Sequence, residues 1–285
     1  MNFNKENISA SIMQLSKNDD YENNPAILRQ ILNFIDLTSL NTTDHQTKII
    51  ELVEKVNNFQ HAFPDCPNVA AICVYPNFAK TVREHLQVKE VNIATVAGCF
   101  PSSQSFLSVK LSEVSLAVEK GADEVDIVLS VGKFLNKEYQ EVADEIALIK
   151  TAAGEAHLKV ILETGVFPDE ESIYTASMLS MESGADFIKT STGKVDPAAT
   201  YDAVYIMTNA IKEFYEKTGK IIGIKPAGGI VTVKQALVYY SIVEHVLGKS
   251  WLNNKYFRIG ASRLANNILT HLHKINGIKT EVKYF

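Results

Sequence analysis

Short apolar runs rich in β-branched residues alternate along this chain with longer segments whose apolar positions recur every three or four residues. Residues 31–37, 69–74, 91–97, 125–129, 158–163, 187–189, 221–225 and 257–260 read as strands. The segments between them carry helix start signals. Thr42-Thr43-Asp44 precedes Ile49, Leu52 and Val56, and Asp196-Pro197 places a proline at a first helical turn ahead of Tyr201, Val204 and Ile211. Gly121, Gly184 and Gly219 each close a helical pattern just before the next strand. Strand and helix in steady alternation require parallel strands, because each helix carries the chain back to the starting edge. Eight such units with no weakly patterned linker predict one (β/α)8 barrel over residues 1–285 rather than a doubly wound sheet. Residues 1–29 read as a polar helical extension broken at Tyr21-Glu22-Asn23-Asn24-Pro25, and residues 276–285 as a mobile tail.

Composition narrows the function classes. Apolar residues make up 46% and charged residues 21%, the balance of an ordinary globular chain. The first residues, Met1-Asn2-Phe3-Asn4-Lys5-Glu6, have no apolar core of a secretory signal, and no run approaches 18 apolar residues, so a cytoplasmic protein without a membrane span is expected. Cys66, Cys73 and Cys99 are odd in number and irregularly spaced, which predicts free thiols. A net charge of −5 with interspersed signs offers no basic stripe for nucleic acid. The seven histidines show no metal-ligand spacing on strand ends, so no metal and no other cofactor is expected.

Catalytic groups of a (β/α)8 barrel sit at the C-terminal ends of its strands. Two lysines end apolar runs there: Lys189 in Asp186-Phe187-Ile188-Lys189 and Lys225 in Ile221-Ile222-Gly223-Ile224-Lys225. Lysine is seldom buried, so two at such positions call for a reason. Alternation by two puts Phe187 with Lys189, and Gly223 with Lys225, on the inner face, leaving Ile188 and Ile224 to the helices. Adjacent strands lie about 5 Å apart, so the two ammonium groups would approach within roughly 6 Å. At an effective dielectric near 20 their repulsion is about 3 kcal/mol, or about two pKa units. A free amine of that kind attacks carbonyls to form a Schiff base. The residues alone do not choose between Lys189 and Lys225 as the nucleophile.

The strings Asp186 to Lys194 (DFIKTSTGK), Lys225 to Gly229 (KPAGG), Gly121 to Asp126 (GADEVD), Ile35 to Leu40 (IDLTSL), Ala70 to Pro76 (AAICVYP) and Arg258 to Ser262 (RIGAS) resemble the deoxyribose-phosphate aldolase family of class I aldolases, in that family's order. The resemblance implies reversible cleavage of 2-deoxy-D-ribose 5-phosphate to D-glyceraldehyde 3-phosphate and acetaldehyde. It also implies Lys189 as the Schiff-base nucleophile, Lys225 as the lysine that lowers its pKa, and Asp126 as the carboxylate of a proton relay. Thr38 and Cys73 match pocket residues near the substrate, and Asp36 and Lys194 a polar network around it. Gly228, Gly229 and Ser262 match the phosphate site, where Arg263 stands in place of the second hydroxyl residue many members carry. Some members end in a tyrosine whose mobile tail reaches the active site; here Tyr284 is followed by Phe285. A homo-oligomer is a family-level expectation, and a phosphosugar the expected small-molecule partner.

Other readings compete at several positions. Another Schiff-base aldolase or a transaldolase-like enzyme would keep both lysines but take a different donor, and a non-catalytic phosphosugar-binding barrel would lack one of Lys189, Lys225 or Asp126. Glu163 closes strand five and serves either structural pairing or catalysis. Gly193-Lys194 looks like the end of a phosphate-binding P-loop, but Val195 stands where Ser or Thr is needed.

Overall fold

The alternating pattern resolves into eight strands, β1 (Ile35–Thr38), β2 (Ala71–Val74), β3 (Asn92–Ala97), β4 (Glu124–Val128), β5 (His157–Ile161), β6 (Phe187–Lys189), β7 (Gly223–Lys225) and β8 (Ile259–Ala261), in a computed structural model that describes residues 5–17 and 19–285. All adjacent pairs are parallel, in the order β7-β6-β5-β4-β3-β2-β1-β8. The remaining seam closes through bridges Ile224 to Phe257 and Ala227 to Gly260, with the Arg258 N–H donating to Ile224 O (3.0 Å) and the Gly260 N–H to Pro226 O (2.9 Å). Closure leaves no open sheet edge among the described residues, and helices cover the outside. Gly260 is required at this seam. A Cβ there would lie 2.7 Å from the Ala227 Cβ and 3.3 Å from the Lys225 Cε.

The outward residues of the strands, such as Ile72, Val125, Val160, Ile188 and Ile224, are buried under the helices and form the main hydrophobic core. The helix ends follow the glycine signals: Leu107–Glu119, Glu170–Glu182 and Tyr201–Thr218 stop just before Gly121, Gly184 and Gly219, all with positive φ. Among the described residues, no helix is long and apolar enough to cross a membrane.

Three expectations are corrected. Residues 31–33 are not strand but the end of a helix, Pro25–Asn33, started by Asn24, whose side chain accepts from the N–H groups of Ala26 and Ile27. Leu28, Ile31 and Leu32 share its buried face, and a three-to-four spacing over so few residues looks like a strand where it abuts Ile35. Ile221 lies outside β7 and is 39% exposed. Pro197 is not helical; helix Tyr201–Thr218 begins at Thr200, whose hydroxyl accepts from the Ala203 N–H. The tail makes contacts with the barrel. Asn266 accepts from the N–H groups of Tyr284 and Phe285 and donates to Phe285 O (2.9 Å), Tyr284 hydroxyl donates to Lys55 O (2.8 Å), and both aromatic rings pack on Phe59. Of the N-terminal extension, Ile8 and Ile12 of helix Lys5–Leu15 pack with Ile206; residues 1–4 and 18 lie outside the described residues.

Candidate active site

The interior of this barrel is charged where most are filled by Val, Ile and Leu. Register pairs Lys189 with Lys225 and Phe187 with Gly223, so the alternation read from the sequence holds across β6 and β7. Both lysines converge on one oxygen: Lys189 Nζ and Lys225 Nζ each donate to Asp126 Oδ2 at 2.7 Å. A second carboxylate, Asp36 on β1, also contacts Lys225. Three further members were not singled out from the sequence. Lys159 on β5 donates to Asp126 Oδ1 (2.9 Å) and pairs with Glu124 Oε2 (2.5 Å), while Arg258 pairs with Asp36 Oδ1 (2.7 Å) and Glu124 Oε1 (2.8 Å). The signal was present as parity. Lys159 sits mid-strand between Leu158 and Val160, Glu124 two residues before Asp126, and Arg258 two before Gly260, all facing inward.

Burial and charge act differently on these groups. Burial opposes the charge on Lys189, Asp126 opposes that effect, and Lys225 reinforces it, so the Lys189 amine falls below the ordinary lysine range. The leading cause is therefore desolvation, with the lysine–lysine repulsion expected from the sequence as an addition. Burial works against Lys225 as well, but Asp126 and Asp36 outweigh it and hold Lys225 protonated, well above the usual value. Burial likewise favours the neutral acid at Asp126, and Lys159, Lys189 and Lys225 overcome it to keep the carboxylate ionised.

A cavity of about 240 Å³ opens above this cluster, lined by Lys189, Thr38, Lys194, Gly228, Gly229, Ser262 and Arg263 among others. Its volume lies a little below the usual range of small-molecule sites, which starts at roughly 300 Å³. Of the three barrel-strand lysines Lys159, Lys189 and Lys225, Lys189 is the one on the cavity wall. Asp36 and Cys73, expected near the substrate, do not reach that wall. Asp36 contacts Lys225 and Arg258, and Cys73, paired in register with Thr38, packs with Ala71 and Ala94. Burial pushes the Cys73 thiol up, which makes it a poor nucleophile. Lys194 spans the mouth, donating to Leu40 O (2.6 Å).

The loops above β6 and β7 are cross-tied. The Ala227 N–H donates to the Thr190 hydroxyl (3.0 Å), and that hydroxyl donates to Ala227 O (3.2 Å). Glu163 accepts from the Thr192 N–H (3.0 Å) and the Thr192 hydroxyl (2.6 Å), which favours structural pairing over catalysis at that position. Gly228 and Gly229 have φ of +89° and +75°, and a Cβ on Gly228 would lie 2.7 Å from the Ala198 Cβ. The two glycines thus bare backbone N–H groups beside Ser262 and Arg263, which precede helix Leu264–Ile275. Tyr284 is turned to the outer wall, away from this cavity, whereas Phe285 borders an adjoining groove with Thr38, Ser262 and Arg263.

An amine of lowered basicity at the mouth of a parallel barrel, with an ionised acid beneath it and two positive-φ glycines beside it, is the arrangement of a (β/α)8 aldolase. The chain matches the sequence model of the DeoC/LacD family aldolases over residues 30–247 and belongs to that family. A Caenorhabditis elegans relative is 41% identical over 274 residues, 95% of this chain and 89% of the relative. The human deoxyribose-phosphate aldolase is 40% identical over 263 residues, 88% and 83% of the two chains. Among solved structures, the aldolase QR15 superposes with a TM-score of 0.69 at 30% identity, covering 86% of this chain and 96% of its own.

Proposed function

We propose that the protein cleaves 2-deoxy-D-ribose 5-phosphate reversibly to D-glyceraldehyde 3-phosphate and acetaldehyde through a Schiff base on Lys189. The observation that carries this is that Lys189 alone of the barrel-strand lysines meets the cavity, with its basicity lowered, while Lys225 stays charged below it. The free amine adds to the aldehyde carbon of the open-chain sugar, and loss of water gives a protonated imine. A base removes the proton of the C3 hydroxyl, the C2–C3 bond breaks, and its electron pair enters the iminium to give an enamine and glyceraldehyde 3-phosphate. Protonation of the enamine carbon and hydrolysis release acetaldehyde and restore Lys189. Asp126, working through water, moves the protons. Lys225, itself fully charged, keeps Asp126 ionised and disfavours a second ammonium at Lys189.

Borohydride reduction in the presence of acetaldehyde should fix the adduct on Lys189, located by peptide mass analysis. Modification elsewhere, or none, would remove the mechanism.

The phosphate fits the cradle of Gly228, Gly229, Ser262 and Arg263. Arg263→Ala should raise KM for the phosphorylated sugar about tenfold, or about 1.4 kcal/mol, and leave KM for unphosphorylated deoxyribose unchanged. Equal loss on both sugars would place the guanidinium outside the phosphate site. The protein's setting is cytoplasmic in this proposal, consistent with three free thiols. Homo-oligomerisation is part of it too: the deoxyribose phosphate aldolase of Aeropyrum pernix, which shares the fold at a TM-score of 0.67, is tetrameric.

A further inference from the structure

We propose that Arg258 and Glu124 are positioning residues for the reacting amine: they set the charge count of the barrel interior, and with it whether Lys189 carries a proton. The inference rests on Lys189 being the Schiff-base amine. Neither residue lines the cavity, so neither touches substrate, yet Arg258 is 3% exposed and Glu124 is fully buried. Buried ion pairs are weak evidence of a stabilising role. Replacing a buried ion pair by apolar residues of similar volume is often neutral or stabilising. Here both are tied to the groups that flank Lys189, since Arg258 holds the Asp36 that contacts Lys225, and Glu124 holds the Lys159 that contacts Asp126.

The titratable groups buried around Lys189 come from all sides of the barrel: Asp36 on β1, Cys73 on β2, Glu124 and Asp126 on β4, Lys159 on β5 with Glu163 just after it, Lys225 on β7 and Arg258 ahead of β8, with Lys194 at the rim. Within the ion-paired network three buried carboxylates, Asp36, Glu124 and Asp126, meet four buried bases, Lys189 included, while the buried Glu163 carboxylate stands outside it, held by the Thr192 N–H and hydroxyl. With every group of the network charged, it holds one positive charge too many. The excess leaves from the base with the weakest acid support and a path to water. Lys225 touches Asp36 and Asp126, Lys159 touches Glu124 and Asp126, and Arg258 touches Asp36 and Glu124. Lys189 touches Asp126 alone and faces the cavity. Its free amine is the state in which the network is neutral.

The sign of each substitution follows. Glu124→Gln makes the interior more positive and lowers the pH at which Lys189 is half deprotonated. Arg258→Met makes it less positive and raises that pH. A unit charge about 10 Å away at an effective dielectric near 20 displaces a titration by about one pH unit. The test is the pH profile of reductive trapping of acetaldehyde on Lys189, followed by mass analysis, with circular dichroism as the check of folding. The midpoint should fall by about one pH unit in Glu124→Gln, rise by about one in Arg258→Met, and return to the wild-type value in the double variant and in Arg258→Lys. A structural role would slow all variants without this reversal of sign. Midpoints that stay put or move in one direction overturn the proposal. Should Arg258→Met not fold, Glu124→Gln and the double variant decide it alone. Failure of the wild type to form an adduct on Lys189 would instead sink the Schiff-base assignment itself.

Discussion

Lys225→Leu should lower kcat/KM at pH 7 by two to three orders of magnitude while the barrel still folds. Lys225 and Lys189 share Asp126 Oδ2, so removing Lys225 leaves that oxygen to Lys189 and takes away the neighbouring positive charge. Lys189 then returns toward an ordinary amine, and a lysine near pKa 10.4 is neutral only about once in two thousand at pH 7. Because the defect is one of protonation, the variant's rate should climb about tenfold per pH unit as pH rises toward the new pKa. The wild-type rate should level off at lower pH. Stability should fall as well. Asp36 keeps Arg258 and Asp126 keeps Lys159, so the loss should fall at or below the roughly 3–5 kcal/mol seen when one partner of a buried pair is removed. Turnover at pH 7 within tenfold of wild type would show that Lys225 does not govern Lys189.

How far the sequence could foretell this site depended on which side of the strands a residue faces. Period-two alternation is strict, so Phe187 and Lys189, and Gly223 and Lys225, were legible as inward pairs, and the register bears this out. The same rule placed Lys159, Glu124 and Arg258 inside, but a charged residue within a strand acquires meaning only when its partners are known. Those partners come from strands 33 to 222 residues apart in sequence, as Lys159 with Asp126 and Arg258 with Asp36. Which residues line the cavity was likewise hidden, since Thr38 lines it and Cys73, its register partner on the next strand, does not. The helix over Pro25–Asn33 was missed because its apolar stripe runs directly into β1, with no glycine or proline between Asn33 and Ile35 to mark the change.

Asp126→Asn should separate two steps that Lys225→Leu disables together. Asp126 is the carboxylate on which Lys159, Lys189 and Lys225 all meet, so its loss leaves these ammonium groups with two acids, Asp36 and Glu124, shared with Arg258. A more positive interior disfavours a proton on Lys189, so its amine should be free over a wider pH range than in the wild type. Reductive trapping of acetaldehyde on Lys189 should therefore survive, with its midpoint moved to lower pH. Turnover should nonetheless fall by about 10²–10⁴, the usual contribution of a positioned proton-transfer group. Exchange of the acetaldehyde methyl protons with deuterated solvent, which requires the enamine to form and be protonated, should fall with turnover rather than with trapping. Unfolding should also come earlier, by up to the cost of an uncompensated buried charge, roughly 3–5 kcal/mol. If trapping and exchange declined in step, Asp126 would be needed for imine formation itself and would not be set apart as the group of the later proton transfer. If trapping is lost first, the acid is needed to hold the amine in place.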